Sequence, residues 1–159
     1  FLLSAPPYGF SDAIIGLFGL TGAAGALSAS WAGRLADKGR TNWAVVLGLV
    51  MMLVSWIPIG FSPVSIIALI VGGVFLDFAV QLVHVSNMNS VIKLDPEQRS
   101  RLNASYMTAY FVGGASGSFL AALIYQNYGW MGITITGLAV SLLLLVLGLH
   151  DLQRERRSG

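Results

Sequence analysis

The sequence contains no cysteine among its 159 residues, which excludes disulfide bonds and thiolate chemistry. Charged residues are also scarce: they make up 10% of the chain, whereas a soluble domain carries about a quarter. So few charges cannot cover the surface of a soluble globule. The mean hydropathy of +0.75 points the same way, so the outer surface is expected to face a lipid bilayer.

Five apolar stretches are each long enough to cross the ~30 Å hydrocarbon core of a bilayer as a helix. We expect the spans to be Ala13–Ala32, Asn42–Gly60, Val64–Ile92, Asn103–Gln126 and Met131–Leu149. Residues 1–11 would be the end of a preceding helix with its loop, and residues 150–159 would be a tail. The sequence therefore predicts an all-α integral membrane protein, with five transmembrane helices and the end of a sixth in one domain over residues 1–159.

Basic residues are absent from the loops after the second and fourth spans. With alternating spans, all nine fall at one membrane face: Arg34, Lys38, Arg40, Lys93, Arg99, Arg101, Arg154, Arg156 and Arg157. By the positive-inside rule this face is cytoplasmic, and the C-terminal tail lies there too. The expected location is the plasma membrane, as a bacterial inner-membrane protein. Nucleic acid is not an expected partner, because no aromatic platform accompanies the basic residues.

The third span carries unusual polar residues: Asp77, Gln81, His84 and Asn87. The first three have i, i+4, i+7 spacing, which places them on one helix face, and Asn87 lies beside that stripe. A charged residue within a membrane helix costs about 2.5–3.5 kcal/mol on insertion scales and commonly marks a functional site. We therefore take all four as candidates for contact with a small-molecule substrate or with protons. The set does not form a metal site, and no metal or cofactor is expected.

Two small-residue motifs support other interpretations. Gly113, Gly114 and Gly117 include a GxxxG pair, which is typical of close helix packing in membranes. The same stretch contains Ser116 in a GxSG pattern that resembles the rhomboid family of intramembrane serine proteases, with His84 or His150 as its base. Glycine–serine runs are common in membrane helices, so an enzyme is not expected. A membrane fragment without transport activity of its own is a further alternative.

A charged hinge separates the first two spans, and it carries the most informative motif. Residues 33–40 read GRLADKGR, which resembles the G-x-L-A-D-x-x-G-R loop of the major facilitator superfamily. Residues 95–103 and 110–118, with the Gly129–Trp130 pair, resemble the tenth and eleventh helices of bacterial drug-efflux members. One departure is Thr41, where the family usually has another basic residue.

The resemblance implies that this chain is the carboxyl-terminal half of a twelve-helix transporter, with the amino-terminal half as its partner. The spans would be helices eight to twelve. In that fold the eighth and eleventh helices contact the opposite half, the tenth lines the cavity, and the ninth and twelfth face lipid. The implied function is proton-coupled efflux, or antiport, of a small organic compound or drug by alternating access. The hinge residues would control conformation: Gly33, Arg34, Asp37, Gly39 and Arg40.

Overall fold

The computed structural model describes residues 3–4, 8–11, 30–31, 33–35, 38 and 40–158. Most of the expected first span, together with Asp37 and Gly39, lies outside these residues. Three α-helices follow one another: α1 (Thr41–Gly60), α2 (Ile66–Ile92) and α3 (Arg99–Ser158), with a short 3₁₀ helix at Pro96–Gln98. All three α-helices are long and apolar enough to cross a membrane. The described part of the chain contains no β-strand.

Side-chain caps set two of the helix starts. The Ser65 hydroxyl accepts a hydrogen bond from the Ala68 backbone N–H at 3.2 Å, so α2 begins at Ile66 rather than at the expected Val64. The Asp95 carboxylate accepts from the Glu97 N–H at 3.0 Å and begins the 3₁₀ turn. α3 continues directly from that turn, so its first residue is Arg99, four before the expected start.

The long helix α3 is broken at Gly129, whose φ of 61° and ψ of −157° are not helical. We call residues 99–128 the first arm and residues 130–158 the second arm. A Cβ at Gly132 would lie 3.0 Å from the side chain of Ile124, which a continuous helix would place about two turns away, so the arms fold back on each other. The described residues therefore contain four apolar segments, and the expected count of five spans is not confirmed.

The contacts between helices fix their directions. α1 and α2 are antiparallel, because Gly48 lies against Val83 whereas Gly72 lies against Ile59. The second arm runs antiparallel to α1. Its first residue, Trp130, donates a hydrogen bond from Nε1 to the Ile59 carbonyl at 2.8 Å. Near its other end, Gly148 faces the side chain of Leu49.

The first arm runs antiparallel to α2. Tyr106 contacts His84, and Tyr110 lies beside Val80, so increasing residue numbers on the arm match decreasing numbers on α2. Contact is concentrated at this point, and residues 108–120 of the arm are all exposed. The first arm is therefore the least covered element of the described fold.

α1 lies at the centre of the described helices and has two different sides. One side packs on α2 and the second arm through buried residues: Ala44, Val46, Gly48, Leu49, Ser55 and Ile59. The opposite side is exposed and apolar at Leu47, Val50, Val54, Ile57 and Phe61. The expectation that this helix faces lipid can therefore apply only to the exposed side. Its glycine and serine positions allow close helix approach on the other side.

The described basic side chains lie at one end of the bundle. The start of α1, the end of α2 and the end of the second arm meet there, where Asn42, Ser90 and Arg154 line one recess. Helix directions place the start of the first arm at the same end. The basic residues of this end are Arg34, Lys38, Arg40, Lys93, Arg99, Arg101 and Arg154.

Candidate substrate site

The polar stripe of α2 lies on the face that points away from α1. The buried positions Gly72, Ala79 and Leu82 define the packed face of α2. At 3.6 residues per turn, Asp77, Gln81 and His84 lie roughly 120–180° around the helix axis from Gly72. All three side chains are partly exposed. The structure thus keeps these three candidates together near the middle of a membrane-length helix.

His84 is held in an aromatic cluster with two tyrosines of the first arm. The His84 and Tyr110 ring centroids are 4.2 Å apart, and those of His84 and Tyr106 are 5.5 Å apart. The two tyrosine rings are themselves stacked, with centroids 6.5 Å apart. These contacts couple the polar stripe of α2 to the first arm.

The Tyr106 hydroxyl lies within hydrogen-bond distance of two polar atoms of the same residue. It is 3.2 Å from Nδ1 of His84 and 3.1 Å from the His84 backbone carbonyl oxygen. A hydroxyl has one proton, so when it donates to the carbonyl it can accept a bond from Nδ1–H. Tyr106 therefore orients the imidazole ring and leaves Nε2 outside this pair of bonds.

A recess of about 690 Å³ opens beside the cluster, between α2 and the first arm. Its walls are almost entirely apolar and include four glycine or alanine residues and two aromatic rings. The lining residues are Val80, Ala109, Tyr110, Phe111, Gly113, Gly114 and Ala115. A volume in the range of about 300–1,000 Å³ suits a small organic ligand.

Asn87 lies apart from the other three candidates. It lines a second recess, of about 400 Å³, at the basic end of the bundle, together with Asn42, Ser90, Asp151 and Arg154. The four polar candidates of α2 therefore lie in two places: Asp77, Gln81 and His84 lie near mid-helix, and Asn87 lies toward the basic end.

The glycines at 113, 114 and 117 have no close neighbour among the described residues. Nothing described lies within 4 Å of the position that a Cβ would occupy at any of the three. Close helix packing occurs instead at Gly48, Gly72, Gly137 and Gly148, where a Cβ would overlap a side chain of another helix. These four positions were not singled out from the sequence, because their partners lie in other helices.

Tyr106 and Tyr110 are the site residues that sequence reasoning missed. A signal was present, since two tyrosines four residues apart share a helix face. It was weak because tyrosines are also common where membrane helices meet the interface. Only the pairing of the first arm with α2 shows that the two rings meet His84.

Comparison with known proteins gives the same family as the hinge motif. The sequence profile of the Major Facilitator Superfamily matches residues 2–158. The chain belongs to the major facilitator superfamily. It is 45% identical over its whole length to the "Uncharacterized transporter YgaY" of Escherichia coli O157:H7 and covers 40% of that protein. It is 31% identical over 142 residues to the "Probable transporter SCO4007" of Streptomyces coelicolor, covering 89% of this chain and 32% of that protein.

As a superfamily member, the chain belongs to a family of multi-pass membrane transport proteins and not to an enzyme family. It spans about 40% of the length of the YgaY relatives it matches. No solved structure matches it. Membership of the transporter superfamily shows that the serine protease alternative is wrong.

The superfamily hinge is described in part. Arg34 and Leu35 are helical, and the Arg40 N–H donates to the Leu35 carbonyl at 2.8 Å just before α1. Leu35 packs against Ala44 and Leu82, so the hinge is fastened to both α1 and α2. Nothing described lies within 4 Å of the position that a Cβ would occupy at Gly33. The residues Asp37 and Gly39 fall outside the described part.

Proposed function

We propose that this chain forms the carboxyl-terminal half of a secondary transporter that moves a small organic compound by alternating access. The observation that carries the proposal is the mid-helix stripe of Asp77, Gln81 and His84 beside an open, aromatic-lined recess. An acidic residue within a membrane helix is costly, and it commonly faces a pathway for substrate or ions.

The amino-terminal half is the proposed partner of the first arm. Residues 108–120 of that arm are exposed, and the glycines at 113, 114 and 117 leave room for a second helix at close range. The matched YgaY relatives are more than twice as long as this chain, so they have enough further residues to supply such a surface. The two halves would rock against each other around the recess.

The roles of the site residues follow from their positions. Asp77 would exchange a proton or bind the substrate, and Gln81 and His84 would line the path beside it. Asn87 would contribute polar lining at the basic end. The hinge residues Gly33, Arg34, Asp37, Gly39 and Arg40 would stabilise one access state. The first span would be a helix that contacts the other half, which brings the count of spans to five.

The proposed membrane orientation and cellular location are based on the distribution of the basic residues. The basic end would face the cytoplasm of a bacterial cell, because positive residues are retained on that side of the plasma membrane. The C-terminal tail leaves the second arm at the same end and would also be cytoplasmic. Proton-coupled efflux of a drug-like compound is proposed from the resemblance of residues 33–40 and 110–118 to efflux members.

The test is Asp77→Asn in the complete protein, reconstituted in proteoliposomes. The measurement is proton flux, reported by a pH-sensitive dye, on addition of cationic, anionic and neutral organic compounds. We expect compound-driven flux in the native protein and at least about a tenfold loss in the variant, since Asn cannot carry the proton.

Asp95→Asn is the matched control, because Asp95 lies outside the membrane helices and Asn caps equally well. We expect it to leave the flux unchanged. Native flux in Asp77→Asn, with the same pH dependence, would remove Asp77 from the site.

A further inference from the structure

We propose that the recess at the start of α1 binds an anionic phospholipid, with the lipid phosphate at Arg40 and one acyl chain along the exposed side of α1. The inference goes beyond the transport proposal, because it does not involve the substrate path. It follows from three features: the lining of the recess, the apolar side of α1 that continues from it, and the charge of the hinge.

The recess combines one cationic side chain with apolar walls. It has a volume of about 440 Å³ and is lined by Leu35, Arg40, Trp43 and Leu47. Arg40 and Trp43 are both exposed. A guanidinium can donate two parallel hydrogen bonds to a phosphate group, and a tryptophan ring favours the headgroup level of a membrane. The lining therefore suits an amphiphile, whereas a small soluble anion would gain nothing from Trp43 and Leu47.

An apolar stripe continues from the recess along α1. Its residues recur every three or four positions, which places them on one helix face. All six are between 41% and 61% exposed: Trp43, Leu47, Val50, Val54, Ile57 and Phe61. From Trp43 to Val54 the helix rises roughly 16 Å, close to the ~15 Å half-thickness of the hydrocarbon core. This part of the stripe therefore matches the length of an acyl chain in one leaflet.

The stripe lies on a different side of the bundle from the surface proposed for the amino-terminal half. Ala44, on the buried side of α1, packs with Leu82 of α2, so the stripe points away from α2. The first arm contacts α2 at His84, on the face of α2 that points away from α1. An amino-terminal half docked on the first arm would therefore leave the stripe and its recess accessible to lipid.

The hinge gives this end of α1 a positive charge. Residues 33–40 contain three basic residues, Arg34, Lys38 and Arg40, against one acidic residue, Asp37. The three basic side chains are exposed. The positive end of the α1 helix dipole lies at the same place, and the first turn of α1 has no acidic residue. A lipid with net negative charge is therefore favoured over a zwitterionic lipid with the same acyl chains.

The experiment places the complete protein in phosphatidylcholine nanodiscs with a trace of photoactivatable lipid. The probe is phosphatidylglycerol, with phosphatidylcholine as the reference, and both carry a diazirine at the same position of one acyl chain. After irradiation, mass spectrometry maps the labelled peptides. We expect the phosphatidylglycerol probe to label residues 43–61 at least about fivefold more than the reference does. Equal labelling by the two probes would overturn the proposal.

The second arm provides an internal comparison, because it also has exposed apolar side chains at Leu143, Val146 and Leu147. We expect no comparable preference for phosphatidylglycerol there. The same preference on both helices would show a general attraction of anionic lipid to the basic end, and would contradict a site at α1.

Arg40→Gln tests the contact with the lipid phosphate. We expect it to lower phosphatidylglycerol labelling of residues 43–61 about fivefold, because it removes both the charge and the guanidinium. Arg99→Gln is the matched control, since Arg99 is an exposed basic residue at the same end of the bundle but outside the recess lining. It should be labelled like native. Native labelling in Arg40→Gln, or equal losses in the two variants, would contradict the contact.

Leu47→Trp is a second variant, should Arg40→Gln fail to fold. It fills the recess from an exposed position without changing the charge, and we expect it to lower phosphatidylglycerol labelling about threefold. Unchanged labelling in that variant would place the lipid elsewhere and overturn the proposal.

Inorganic phosphate distinguishes a lipid headgroup from a soluble anion. Added at millimolar concentration, with chloride at the same ionic strength as the reference, it should leave the labelling unchanged, because it makes no contact with the apolar stripe. Loss of labelling in phosphate but not in chloride would show that the recess takes a soluble anion, and would overturn the lipid site. None of these measurements needs a transported compound, so the lipid site and the transport function can fail separately.

Discussion

Trp56 of α1 fills the space beside Gly137 of the second arm, and this contact shows how single residues hold the bundle together. A Cβ at position 137 would overlap the indole ring. One turn further along the second arm, the Trp56 Nε1–H donates to the Ser141 hydroxyl at 3.0 Å. In a membrane, such packing and interhelical hydrogen bonds hold helices together, because lipid offers little hydrophobic drive for association.

We expect Gly137→Ala to destabilise the protein, although alanine is the better helix former. The added methyl group displaces a large, hydrogen-bonded ring, and overpacking of this kind costs about 1–3 kcal/mol. The measurement is thermal unfolding of the complete protein in detergent, followed by tryptophan fluorescence.

Gly73→Ala is the matched control for that measurement, since nothing described lies within 4 Å of its Cβ position. It is expected to be neutral or stabilising by up to about 1 kcal/mol. Equal melting temperatures in the two alanine variants would show that the contact with Trp56 does not restrict position 137.

At the scale of elements, the reversal between the two arms depends on one backbone conformation. Gly129 combines φ of 61° with ψ of −157°, a region that glycine alone adopts readily. The flanking residues are helical on both sides, so the chain turns within a single residue. The expected spans end at Gln126 and resume at Met131, and the structure narrows the break between them to Gly129.

We expect Gly129→Ala and Gly129→Asn to cost similar amounts, about 1–3 kcal/mol each in thermal unfolding. Asparagine tolerates the left-handed helical region, but ψ at Gly129 lies far from that region, so it should give no relief. Gln126→Ala, an exposed change three residues earlier, is the reference and should melt like native. Full stability in the asparagine variant would mean that the turn adopts an ordinary left-handed cap.

Sequence reasoning located elements better than their contacts. α1 ends at Gly60 and α2 at Ile92, where the second and third expected spans also end, because a proline or a charged loop follows each of them. The start of α3 was placed four residues late, since the cap at Asp95 was not recognised in the charged loop. Local signals determine helix ends, and they are legible in the sequence.

At the scale of the whole molecule, the candidate site was predictable only on its α2 side. Spacing placed Asp77, Gln81 and His84 on one face, and the structure keeps them there, opposite α1. The contribution of Tyr110 depends on how the first arm docks on α2, which no local pattern in either helix encodes. The packing role of Gly137 was missed for the same reason, because its partner lies 81 positions earlier in the sequence.

Helix directions make a prediction about membrane sidedness that does not depend on the site. Ser100 and Gln153 lie at the basic end, whereas Phe61 and Tyr128 lie at the opposite end, and all four are exposed. Single cysteines at these positions have no native cysteine in this chain to compete with them. Cysteines elsewhere in the complete protein would be replaced by serine beforehand.

An impermeant maleimide added to intact cells should label Phe61→Cys and Tyr128→Cys, and should label Ser100→Cys and Gln153→Cys only after permeabilisation. The reason is that the basic end is retained in the cytoplasm. The reverse labelling pattern would agree with the same helix bundle in the opposite membrane orientation. Two antiparallel arms joined at Gly129 begin and end at the same membrane face. Labelling of Ser100→Cys and Gln153→Cys from different sides would therefore contradict the reversal at Gly129.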